Sequence, residues 1–150
     1  MKPMPVVAYR KFLLLFSTFT VILFVFSHSL MSAEASGAVS EGFHTFLDKW
    51  LGHLPFYSHA FLRKAAHFLE YTLLGIHAPF YRVLWRKGEA ALALCFLVPF
   101  LDERLQSLVP GRAPLWQDVL LDSVGVAFGC LLALVFLFVL RGRRKKGGRS

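Results

Sequence analysis

Apolar residues come in blocks along this chain, and four blocks have the length of a bilayer crossing. The first runs from Phe12 to about Met31 without a charge. The second, residues 62–81, is apolar but carries Lys64, His67 and Glu70 near its start. The third, residues 89–108, stays apolar until Asp102, and the fourth, residues 114–140, opens with Asp118 and Asp122 before running apolar to Leu140. About 20 apolar residues in helix cross a hydrocarbon core of about 30 Å. The pattern predicts an all-α, polytopic membrane protein: a four-helix transmembrane bundle forming one domain over residues 1–150.

The longest connection, residues 32–60, holds a stripe of its own. Val39, Phe43, Phe46 (with Leu47), Trp50 and Leu54 recur at helical spacing, which predicts a short amphipathic helix lying on the outer membrane surface. Residues 1–35 also read as a secretory signal peptide, with a basic start, an apolar core and Ala33-Glu34-Ala35 as the cleavage site. Cleavage would leave three spans in the same orientation, but the uncharged stretch is long enough to cross.

Charge sets the orientation. Twelve of the 17 Lys and Arg residues lie in the N-terminal segment, in the connection holding Arg82, Arg86 and Lys87, and in the tail 141–150. The positive-inside rule then places both termini in the cytoplasm. With 56% hydrophobic residues and a mean hydropathy of +0.55, the net charge of +8 belongs beside anionic lipid. Membrane lipids are the expected partners of the basic tail, and nucleic acid is not. Cys95 and Cys130 both fall inside apolar blocks, where cysteine acts as a small packing residue.

The acids follow the opposite rule. Eight of the nine lie on the predicted outer side or in the outer half of a span. Ionisable groups at membrane depth are costly and face the protein interior. At about 100° per residue, Lys64, His67 and Tyr71 fall within about 60° of one helix face, with Glu70 at its margin. Asp102, Glu103 and Gln106 share an arc of about 100°, and Asp118, Asp122, Gly125 and Gly129 form one stripe. Small residues in such a stripe let a neighbouring backbone approach. The turn Pro110-Gly111 returns Arg112 towards Asp102 and Glu103. Four bases (Arg63, Lys64, Arg104, Arg112) against five acids make the set nearly neutral, as a poorly solvated network must be.

These residues read as an outward-facing polar pocket or, alternatively, as a network that only holds the helices together. Asp118 and Asp122 also suit the positive end of the last helix, and His67 alone is commonly a packing residue. The missing motifs narrow the chemistry: no serine or cysteine is set beside a histidine and an acid as a nucleophile, and neither a zinc-protease motif nor a P-loop occurs. One histidine among carboxylates is a weak metal signature, so no metal ligand set and no cofactor is expected.

The chain resembles the VanZ-like membrane proteins over nearly its whole length. The resemblance runs through Phe26-Ser27-His28-Ser29, then Ser36 and Ser40, then Arg63-Lys64-Ala65-Ala66-His67-Phe68-Leu69-Glu70-Tyr71. It continues with Asp102-Glu103 and Gln106, Pro110-Gly111-Arg112, Asp118 and the Gly125/Gly129 pair. Where that family commonly has Asn in the last span, this chain has Asp122 or Ser123. The resemblance favours keeping the first span, whose Ser-rich outer end belongs to the family pattern. It implies a bacterial, four-span, multi-pass protein of the cell membrane, in a family whose namesake confers low-level resistance to the glycopeptide teicoplanin. A lipid-linked envelope precursor or a lipoglycopeptide is then the expected ligand. The alternatives are an intramembrane enzyme acting on such a lipid, with His67 and a carboxylate as acid and base, and a purely structural membrane protein.

The charge asymmetry makes a direct prediction. Topology reporters fused at residue 1 and after Ser150 should both read cytoplasmic, and one fused near Ser40 should read external. A cytoplasmic signal at Ser40 would reverse the orientation and move the acids to the wrong face.

Overall fold

The computed structural model describes residues 5–52, 58–112 and 115–147, and the described residues form five helices and no strand. They are α1 (Val6–Ser29), α2 (Ala33–Leu51), α3 (His59–Trp85), α4 (Gly88–Gln106) and α5 (Trp116–Gly147). Two of them, α1 and α5, are long and apolar enough to cross a membrane by composition alone. The 27 residues of α3 and the 19 of α4 correspond to about 40 Å and about 28 Å of helix at ~1.5 Å per residue.

Local chemistry sets the ends. Ser32 and Ser58 cap α2 and α3, each accepting a hydrogen bond from the backbone N–H three residues on, at 3.1 Å in both cases. Arg86 closes α3 in the left-handed region at φ 61°. Helix α2 does form over most of the predicted outer connection. Its Val39, Phe43, Phe46 and Trp50 are exposed, and the rings of Phe43, Phe46 and Trp50 follow one another at centroid distances of 6.4 and 6.3 Å. Leu54 lies outside the described residues.

Helix α3 is the centre of the packing, in contact with all four others and most extensively with α5. Side-chain pairs give the directions. His28 meets Glu70, and Ser17 meets His77, so α1 and α3 run antiparallel. Lys64 meets Asp118, and His67 meets Asp122, so α3 and α5 run parallel. The apolar core between them is Val21, Val25, Tyr71, Leu74, Ala78, Cys95, Val98 and Val126. Cys95 and Cys130 are both free thiols, with Cys95 buried in that core.

Close approach of α3 and α5 depends on three glycines. A Cβ at Gly75 would sit 2.1 Å from the Val126 carbonyl oxygen, and one at Gly129 would sit 1.9 Å from that of Thr72. One at Gly125 would meet the Phe68 carbonyl oxygen at 2.8 Å. The stripe of Gly125 and Gly129 is thus a helix contact, and Gly75 answers it from the opposite helix. Gly75→Ala and Gly129→Ala should each cost about 1–3 kcal/mol, as overpacking does, and lower the unfolding temperature in detergent. Gly142→Ala, with nothing within 4 Å of its added Cβ, should leave that temperature unchanged.

Candidate functional site

The polar side chains gather at one end of the packed helices, where α1 and α4 finish and α3 and α5 begin. Charged and amide-bearing side chains from several helices meet there. On α3, Lys64 Nζ lies 3.9 Å from Asp118 Oδ1, and His67 Nδ1 lies 3.9 Å from Asp122 Oδ1. On α4, Asp102 Oδ2 accepts from Gln106 Nε2 at 2.9 Å. His67, Asp102 and Asp122 each offer one ligand-type atom, and all three atoms lie within 4.8 Å of one another.

These groups surround a cleft of about 190 Å³ lined by Arg63, Lys64, His67, Gln106, Arg112 and Asp118, with Asp122 also on its wall. Lys64 is half-exposed at its mouth, whereas Asp102 and Asp122 are 0% and 1% exposed. The cleft therefore has a basic, wetter rim and Asp122 as its buried acidic wall, with a ligand-type atom of Asp102 within 4.8 Å of one on Asp122. Bases and acids face one another from different helices, Lys64 towards Asp118 and His67 towards Asp122.

Two predicted residues turn elsewhere. Glu70 faces α1, where the N–H at His28 Nδ1 donates to Glu70 Oε1 over 2.6 Å. Glu103 is buried and accepts from the backbone N–H of Leu115, just ahead of α5. Asp102 and Glu103 thus lie deeper than the water-filled mouth that their place near a helix end implies. Arg112 Nη1 donates to the Ser29 carbonyl oxygen at 3.2 Å, tying the α4–α5 turn to the end of α1. Burial lowers its pKa, Arg63 adds to that, and Asp102 and Glu103 oppose it; a guanidinium stays charged through such shifts.

His28 and Ser29 are the residues that spacing alone did not mark as part of the site. Ser29 is fully buried and serves α4 and the following turn at once. Its hydroxyl accepts from Gln106 Nε2 at 3.4 Å, and its carbonyl oxygen accepts from Arg112. The His28 ring stacks on His67 at 6.0 Å with the planes 7° apart, and His67 stacks on Tyr71 at 6.5 Å. The hints in the sequence were a histidine flanked by serines closing an otherwise apolar span and the family pattern that runs through Phe26-Ser27-His28-Ser29. Tyr71 is fully buried, and its hydroxyl interacts with the Asp102 carboxylate. At the opposite end of α3, His77 bonds Ser17 and Tyr81 bonds Thr18, which is packing between α1 and α3.

Helices bearing buried carboxylates and histidines beside long, lipid-suited apolar faces define a class: helical membrane proteins with a polar centre near one face. The sequence model of the VanZ/LLP1 family matches residues 7–138. The chain belongs to that family, and with its two apolar helices this points to a membrane protein. No curated protein and no solved structure matches it.

Proposed function

We propose that this is a four-crossing protein of the bacterial cell envelope, with α1, α3, α4 and α5 as the spans, both termini cytoplasmic and the polar cleft facing outward. In this reading the cleft binds the polar headgroup of an amphiphilic or lipid-linked envelope molecule and thereby modulates susceptibility to glycopeptides or lipoglycopeptides. Helix directions support the topology. Since α1 and α4 run one way and α3 and α5 the other, each connection stays at one end, and α2 remains with the acids. Lys11, Arg10, Arg82, Arg86 and Arg141 gather at the opposite end, where Arg10 and Arg141 share one groove and Arg82, Arg86 and Arg141 another. That is the distribution the positive-inside rule asks of a cytoplasmic face.

The observation that carries the binding reading is the charged cleft with its basic rim. Its volume of about 190 Å³ is below the ~300–1,000 Å³ of pockets that enclose a drug-sized ligand, so it suits a headgroup whose tails stay in lipid. A groove beside it fits the tails: Phe100, Trp116, Val119 and Leu120 line about 540 Å³ between α4 and α5. Glu103, also on that groove, holds the amide of Leu115, which lines the cleft. A second reading, an intramembrane enzyme on the same lipid, draws on His67 lining the cleft with ligand-type atoms of Asp102 and Asp122 within 4.8 Å.

Rim residues test the binding reading because they are the least buried. Exposed ion pairs contribute only ~0–1 kcal/mol to stability, so Lys64→Gln and Arg63→Gln, both exposed on the cleft, should accumulate in the membrane near wild-type levels. Both should abolish any change in lipoglycopeptide susceptibility that the wild-type protein confers, and both should abolish any change in the lipid profile of a deletion strain that the wild type restores. If both variants instead disappear from the membrane, the rim is structural and the binding reading fails.

A further inference from the structure

The two buried aspartates carry more negative charge than their protein neighbours answer. Asp102 Oδ1 and Asp122 Oδ1 are both buried without a hydrogen-bond partner among the described residues. Asp122 Oδ1 faces His67 Nδ1 at 3.9 Å, too far for a hydrogen bond. Two ligands held at about 2.0–2.2 Å by one ion stand about 3–4 Å apart, which is the separation this pair has. One ligand atom from each of the three side chains lies within 4.8 Å of the others, at most about 1–2 Å wider than the spacing of ligands on one ion.

The surroundings are those of a prepared ligand set. Gln106 holds Asp102 by Oδ2, which leaves Oδ1 for another partner, and Gln106 is itself held by Ser29. Stacking between His28 and Tyr71 fixes the His67 ring plane. Groups that orient metal ligands in this way raise affinity for the ion. His67 and Asp122 both line the cleft, which gives an ion its path in. We propose that His67, Asp102 and Asp122 bind one divalent transition-metal cation, Zn²⁺ or Mn²⁺, with its open coordination positions facing the cleft. One imidazole with two carboxylates suits these borderline and harder ions and not the soft ones. Three protein ligands with a free position are the arrangement that lets an ion take a further oxygen ligand. The ion site departs from the sequence expectation of no metal, because spacing along separate spans does not display a ligand set that packing assembles. It stands whether or not the cleft takes an amphiphile.

The test uses the full chain purified in detergent, stripped with EDTA and titrated with Co²⁺, whose visible absorption reports ligation. Metal content after reloading with Zn²⁺ or Mn²⁺ is measured by mass spectrometry. The expected result is a saturable Co²⁺ spectrum and one retained ion per chain. His67→Ala and Asp122→Asn should weaken Co²⁺ binding by at least the ~10–100-fold that loss of a mere supporting residue causes. Arg82→Gln, at the opposite end of the helices, should keep the wild-type spectrum. Should a ligand variant fail to fold, the wild type alone decides: Zn²⁺ or Mn²⁺ should raise its unfolding temperature, and EDTA should lower it. No saturable Co²⁺ spectrum and no retained ion would overturn the proposal, and the two buried aspartates would then be neutralised by protons. Equal retention by well-folded His67→Ala and Asp122→Asn would overturn it as well.

Discussion

A carboxylate taken out of water needs a partner, and α3, α4 and α5 each bring at least one. Glu70, Asp102 and Asp122 are all buried, and each finds its nearest polar neighbour by a different route. Glu70 reaches His28 on α1, Asp102 is held by Gln106 one turn along α4, and Asp122 faces His67 on α3. Two of these three links cross between helices, so the charges specify which helices meet and in which register. Leaving one such charge uncompensated costs about 3–5 kcal/mol, a large share of the ~5–15 kcal/mol that holds a folded chain together. Much of the arrangement at this end follows from avoiding that cost.

Meeting the requirement depends on backbone distance. Gly75, Gly125 and Gly129 remove the Cβ atoms that would hold α3 and α5 apart, and only at that spacing do Lys64 and His67 come opposite Asp118 and Asp122. Because the two helices run parallel, successive turns of one meet successive turns of the other, and the polar pairs give way to glycine contacts further along. Packing and charge placement are therefore one device.

Most of this end was legible in the sequence, because a charge in an apolar block is visible without any structure. Helical phase put Lys64, His67 and Tyr71 on one face and aligned Asp118 with Asp122 and the two glycines, and the family pattern ran through the same residues. Partner choice was less legible. Glu70 was read with the common pocket, yet it pairs with His28, since phase within one helix says nothing about which neighbour a margin position faces. Asp102 and Glu103 stand near a helix end, yet both are buried, and the arginine of the α4–α5 turn beside them is held by Ser29. Gly75 escaped notice because it stands alone in α3, without the spacing that marked Gly125 and Gly129.

The His28–Glu70 pair measures the governing constraint most directly, since it joins α1 to α3 across 2.6 Å. A double-mutant cycle of His28→Leu and Glu70→Leu, read by reversible unfolding in detergent, separates compensation from packing. The account predicts that His28→Leu alone destabilises by roughly 3–5 kcal/mol, because it strands Glu70. It also predicts that the double variant is less destabilised than the sum of the two single changes, with a coupling of at least about 1 kcal/mol. Additive effects, or a His28→Leu variant as stable as wild type, would contradict the claim that compensation of buried carboxylates organises this protein.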